Sequence, residues 1–146
     1  MHKINKVEVR NLQMEDYGQL AQSFTRVYAD KDVFWTREQI RKLVTIFPEG
    51  QIVTVVDGRI VGCALSIIVD YDTVKGDHTY AKVTGGETFD THTPNGNILY
   101  GIEVFIHPDY RGLRLARRMY DYRKELCEKL NLKAIMFGGR IPNYYK

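Results

Sequence analysis

Two runs of β-branched residues, Ile52–Val56 and Ile60–Val69, are separated only by Asp57, Gly58 and Arg59. An Asp-Gly pair supplies the positive φ angles of a tight type I′ turn, so the two runs are expected to fold back on each other as a β-hairpin. An isolated hairpin is barely stable in water, so further strands must lie beside it and helices over it. Val7–Leu12 alternates apolar and polar residues and reads as a short strand. Ile98–Ile106 is apolar on both faces, as a central strand covered on each side would be, and Pro108 ends it. Ala134–Phe137 is a last short strand.

Three stretches carry helical periodicity. Asp16 opens a pattern with Leu20, Phe24, Val27 and Tyr28 on one stripe. Thr36, followed three residues later by Gln39, has capping-box spacing and leads into Ile40, Leu43, Val44 and Phe47, before Pro48 and Gly50 stop the helix. From about Gly112 to Leu130, the residues Leu115, Met119, Tyr122, Leu126 and Leu130 mark a long amphipathic helix. The fold class is therefore α/β (α+β), with a central sheet flanked by helices.

A chain of 146 residues has room for one domain, 1–146, and its 44% hydrophobic and 27% charged residues exclude wholesale disorder. The longest apolar run, Ile60–Val69, is far too short for a membrane span, and Met1–Arg10 lacks the apolar core of a signal peptide. A soluble, cytoplasmic protein is expected. Cys63 and Cys127 match no metal or redox spacing and read as buried, reduced core residues. Residues 70–97 hold six threonines, four glycines, two histidines and five acids without a sustained period. A segment of that length reads either as a binding loop or lid, or as a surface insertion. A helical turn is expected at Thr79–Val83 and a tight turn at Asn95-Gly96.

The net charge of +3 is too small to argue for nucleic acid. Its distribution is more informative. Residues 111–146 carry ten Lys/Arg against three Asp/Glu, whereas 70–97 carry two against five. Arg111, Arg114, Arg117 and Arg118 crowd the start of the last helix, with no acid until Asp121. The positive end of the helix dipole makes such a cluster unfavourable unless an anion sits among the arginines. The unpaired N–H groups of a helix start also cradle phosphate, and Gly112 lets a ligand approach the backbone closely. Against this stand two plainer readings: a solvated helix face, or arginines paired with the acids of 70–97.

The segment His107-Pro-Asp-Tyr-Arg-Gly-Leu-Arg-Leu-Ala-Arg117 resembles motif A of the GNAT N-acetyltransferase superfamily, an Arg/Gln-x-x-Gly-x-Gly/Ala pattern after a strand that ends near a proline. Arg111 and Ala116 match its first and last positions, and Arg114 stands where the family usually has its middle glycine. The order of strand, two helices, hairpin, central strand, motif helix and strand is that of the superfamily up to its fifth strand. More narrowly, Tyr100–Leu115 and Gly138–Tyr144 are similar to the GNAT part of bacterial proteins that fuse this domain to a carbon–nitrogen hydrolase.

The resemblance implies a GNAT acyl-CoA N-acyltransferase fold with a mixed sheet. It implies acetyl-CoA as co-substrate, its pyrophosphate on the backbone N–H groups of Arg111, Gly112, Leu113, Arg114, Leu115, Ala116 and Arg117. The pantetheine arm would pair along Val104, Phe105 and Ile106, and Asn143 would contact CoA. The acceptor would be a small-molecule or peptide amine that attacks the thioester directly, and neither nucleic acid nor a membrane is an expected partner. An ammonium substrate must first lose a proton. Glu103 is the only charged side chain between Ile98 and Pro108, and partial burial would suit it to act as general base. The alternative for Glu103 is a structural ion pair with an arginine; His107 reads either as a proton relay or, more plainly, as a turn histidine exposed to solvent. The acid that protonates the CoA thiolate falls to Tyr144, with Tyr145 beside it, although both sit short of the family's usual offset from the asparagine.

The superfamily's domain continues with a further helix and two more strands. A fold ending after the fifth strand leaves a sheet edge, so either a second copy or another partner covers it, or the sequence is a piece of a longer chain, or activity is impaired. Asp70, Asp72, Asp77, His78, Asp90 and His92 have no recognised metal-ligand spacing, so no metal is expected, and their negative charge would instead attract a cationic amine. The competing reading of the whole is an acyl-CoA-binding module without catalysis, serving a fused or separate carbon–nitrogen hydrolase.

Overall fold

The computed structural model describes residues 6–28, 34–74, 84, 88–110 and 114–140. Strands β1 (Val7–Asn11), β2 (Ile52–Val56), β3 (Arg59–Val69), β4 (Ile98–Ile106) and β5 (Ala134–Arg140) form one sheet in chain order. The first four are antiparallel neighbours, and β5 runs parallel to β4. At the hairpin, Asp57 and Gly58 take φ of 50° and 83°. Asp57 also exchanges hydrogen bonds with the backbone of Lys6, closing β1 onto the turn.

Helices α1 (Tyr17–Tyr28) and α2 (Arg37–Ile46) cover one face of the sheet, and α4 (Leu115–Lys129) covers the other. On the first face Leu20, Phe24, Ile40 and Leu43 share a core with Val53, Cys63, Leu65, Ile67, Ile102 and Phe105. On the second, Leu115 and Met119 pack with Ile52, Val61, Ala64, Val104 and Ile106, while Leu126 and Cys127 meet Phe47, Ile68 and Leu99. All nine residues of β4 are buried, which is why its sequence is apolar on both faces. The expected capping box is formed: Thr36 Oγ1 accepts from the Gln39 N–H at 3.1 Å, and Gln39 Oε1 accepts from the Thr36 N–H at 2.8 Å.

The last helix begins at Leu115, one turn later than its stripe suggested, and β5 runs three residues beyond Phe137. The segment after β3 opens with a single helical turn, α3 (Tyr71–Val74), whereas the turn expected at Thr79–Val83 lies outside the described residues. The end of the segment is pinned to the sheet. Thr93 and Asn97 donate to Ile68 O and Val69 O, Gly96 closes the Asn95-Gly96 turn on Thr93 O, and Lys133 donates to Asn97 O.

Candidate functional site

One irregularity of the sheet decides where the key side chains point. Between β3 and β4, Leu65 pairs with Glu103 and Ser66 with Gly101, so Ile102 is an extra residue on β4. Such a bulge breaks the alternation of faces. Ile98, Tyr100 and Ile102 lie on the α1/α2 face; beyond the bulge Phe105 lies there too, while Val104 and Ile106 face α4. Glu103 therefore follows Ile102 onto the α1/α2 side, where its Oε1 accepts a hydrogen bond from Trp35 Nε1 at 3.0 Å.

Glu103 is completely buried, not partly buried as its sequence context suggested. A carboxylate without water must be held by the donors that reach it, because burial without partners is costly. Trp35 supplies one. It sits directly before the Thr36 cap of α2, is itself 5% exposed, and packs on Phe89 with ring centroids 5.6 Å apart. Its carbonyl accepts from Tyr17 Oη at 2.6 Å. Sequence periodicity gave no role to Trp35. The available signal was its place directly before the Thr36 cap, four residues ahead of Gln39, which closes the capping box, and five ahead of Ile40, at the staple position.

Past Glu103 the strand changes company. Pairing of β4 with β5 runs from Ile98↔Ala134 to Glu103↔Arg140. Among the described residues, Val104, Phe105 and Ile106 pair only with β3, through Ala64, Cys63 and Gly62. The residues that follow Arg140, the last partner of β4 on that side, lie outside the described residues. The chain then turns through Pro108–Tyr110 into α4.

The start of α4 is built for close backbone approach. Arg114, at the position of the motif's middle glycine, has φ 59° and ψ 29°, the left-handed region that glycine enters freely. The conformation is kept although the residue is not glycine. The first helical bond runs from the Arg118 N–H to Arg114 O, so the N–H groups of Leu115, Ala116 and Arg117 precede it in the first turn. Arg114, Arg117 and Arg118 are exposed around them, and Arg117 also reaches Asp121 at 3.2 Å. Arg111, Gly112, Leu113, Asn143 and Tyr144 lie outside the described residues.

His107 is buried, contrary to the exposed turn histidine expected. Its Nδ1 accepts from the Asp109 N–H at 3.2 Å, its ring stands edge-on to Tyr110, and its own N–H holds Val61 O at 2.6 Å. These contacts make it the pivot of the turn out of β4. Arg123 went unnoticed in the sequence although it falls four residues after Met119, in phase with the buried stripe. It is 1% exposed, and its Nη2 donates to Leu65 O at 2.8 Å, beside the bulge. Cys63 and Cys127 are buried free thiols; burial, reinforced by the negative charge of Glu103, pushes the Cys63 thiol well up.

Of the acidic segment, Asp77 and His78 lie outside the described residues. Asp90 pairs with Lys42 of α2, and His92 stacks on Phe47 with its Nδ1 accepting from the Ile68 N–H. Among the described residues no three metal-ligating side chains come together. Among the same residues no helix is long and apolar enough to cross a membrane.

The chain belongs to the acetyltransferase (GNAT) family, whose model matches residues 7–145. Its mixed five-stranded sheet flanked by helices is the GNAT fold. It is 36% identical to the probable hydrolase YhcX of Bacillus subtilis (strain 168), over 97% of this chain and 27% of that protein. It is 33% identical to the uncharacterized N-acetyltransferase YkwB of the same strain, over 80% of this chain and 51% of that protein. The chain thus spans between about a quarter and a half of the length of these curated relatives. Among solved structures, the loading GNATL domain of CurA from Lyngbya majuscula superposes with a TM-score of 0.68 at 22% identity, over 84% of this chain and 59% of that one.

Proposed function

We propose that the chain, as a single domain 1–146, transfers an acyl group from acyl-CoA, most simply acetyl-CoA, to a primary amine on a small molecule or peptide. The observation that carries this reading is the left-handed Arg114 at the mouth of α4, directly after β4. It preserves the backbone that the motif's glycine would give, with three N–H groups and a cluster of arginines at the positive end of a helix. The pyrophosphate would sit on the N–H groups of Arg111 to Arg117, and the pantetheine arm would pair with the backbone of Val104, Phe105 and Ile106. Asn143 would add a contact to CoA.

In this mechanism the amine attacks the thioester carbonyl, whose developing oxyanion is met by a strand N–H near Phe105. Glu103 takes the proton the ammonium must lose. Tyr144 returns a proton to the departing thiolate. Because Glu103 is buried and bonded to Trp35, the proton reaches it through a bound water or after that ring moves aside. The acidic residues of 70–97 would draw in the cationic acceptor, and a second copy or another partner would cover the edge of β5.

A second reading is supported by the same burial of Glu103, together with the identity to part of a probable hydrolase: an acyl-CoA-binding module serving a carbon–nitrogen hydrolase. Calorimetric titration with acetyl-CoA, with desulfo-CoA and ATP as controls, tests the shared premise. Micromolar, CoA-specific binding supports both readings, and its absence in folded protein rejects both. Turnover with a panel of amines, lost in Glu103→Gln, supports the enzyme. CoA binding without turnover leaves the module.

A further inference from the structure

We propose that Trp35 is a positioning residue: its indole N–H fixes the orientation of the Glu103 carboxylate and favours its charged, proton-accepting form. The inference rests on the reading of Glu103 as the general base.

The geometry is that of a charge-assisted hydrogen bond, Nε1 to Oε1 at 3.0 Å, made where neither partner meets solvent. In such surroundings a donor aimed at a carboxylate has a far larger effect than in water. The donor is also held from several sides. The Thr36–Gln39 capping box fixes the backbone just after it, and Tyr17 Oη grips its carbonyl. Phe89 packs on its ring from a left-handed backbone, φ 61°, which a bulky side chain adopts only when its surroundings enforce it. The acceptor is aimed by the bulge at Ile102, without which Glu103 would face α4 instead. Two independent local devices, a helix cap and a strand bulge, thus bring one indole and one carboxylate together across 68 residues of sequence.

Trp35 is the chain's only tryptophan, so its indole N–H gives a single resonance that needs no assignment. The test follows that resonance against pH in the wild-type chain and in Glu103→Gln. Alongside it, the pH profile of kcat is measured for wild type, Trp35→Phe, Glu103→Gln and the double variant. The resonance is expected to titrate in wild type along the acid limb of kcat and to stand still in Glu103→Gln. Trp35→Phe is expected to lower kcat about tenfold and move the acid limb up by about one pH unit, leaving the KM for acetyl-CoA within twofold. In the Glu103→Gln background the same change should have no further effect. A resonance that does not titrate, or a Trp35→Phe profile that overlays wild type while Glu103→Gln is inactive, overturns the positioning role and leaves the base intact. Wild-type kcat and profile in Glu103→Gln overturn the base, and the positioning role with it. If Trp35→Phe does not fold, the wild-type and Glu103→Gln resonances decide the matter.

Discussion

Arg114→Gly should stabilise the protein. Arg114 sits at φ 59°, where an L-residue costs roughly 1–2 kcal/mol relative to its ordinary backbone. Glycine escapes that cost but gives back about 0.5–1 kcal/mol through the greater freedom of its unfolded chain. The arginine side chain is exposed and makes no capping hydrogen bond, so no contact to α4 is lost with it. Removing a cation from the positive end of the helix contributes a further ~0.3–1 kcal/mol. The balance is a gain of about 1 kcal/mol, or a rise in Tm of about 2–4 °C for a chain of this size. Arg114→Ala separates the two causes, because it removes the charge and keeps the strain. It should gain only the dipole part, about 0.3–1 kcal/mol. Urea unfolding of the three proteins at one ionic strength reads the difference. An alanine variant as stable as the glycine variant would refute the backbone argument and leave charge alone as the cause.

Two further perturbations follow from the same structure. A Cβ built on Gly96 would lie 2.6 Å from Val69 O and 2.7 Å from Val69 C, both backbone atoms that cannot swing away. Gly96→Ala should therefore displace the turn that returns to β3 and cost about 1–3 kcal/mol, visible as a lower urea midpoint; an unchanged midpoint would show that the turn yields freely. Burial holds the His92 imidazole below its ordinary pKa of 6.5, with Glu49 opposing the shift weakly, and its Nδ1 must stay unprotonated to accept from the Ile68 N–H. The unfolded chain then binds the proton first, so stability is full above about pH 6.5 and falls as pH drops through and below it. The slope from this one group cannot exceed about 1.4 kcal/mol per pH unit. His92→Gln should flatten that part of the profile, and an unaltered slope would assign it to other groups.

The elements were legible in the sequence wherever one local pattern decided them. Asp57-Gly58 fixed the hairpin because only a turn with positive φ fits between two such runs, and Thr36-x-x-Gln39 marked the start of α2 because two backbone donors there need acceptors. The motif at the start of α4 could be read because its chemistry is local as well. What escaped is where a polar group is buried by a partner far away in the chain. His107 looked exposed because a turn usually is, yet Val61, Asp109 and Tyr110 enclose it. Arg123 is a cation whose phase, four residues after Met119, places it on the buried stripe, which charge alone does not show.

The direction in which Glu103 points has a more specific origin. Strict alternation counted from Tyr100 sends Glu103 to the α4 face, toward the side from which Arg123 reaches Leu65 O. The extra residue at Ile102 sends it to Trp35 instead. In a strand that is buried on both faces every position is apolar, so hydrophobic period cannot show where alternation breaks. The one local clue is Gly101, since a glycine inside a strand often marks a bulge. The same irregularity leaves Leu65 O beside a disrupted ladder, where Arg123 takes it up. The meeting of Glu103 with Trp35 and the burial of the Arg123 guanidinium beside Leu65 are therefore two consequences of one inserted residue. Shifting the bulge by one position would move both together, which ties these two contacts to the register of β4 more than to the identity of any single side chain on it.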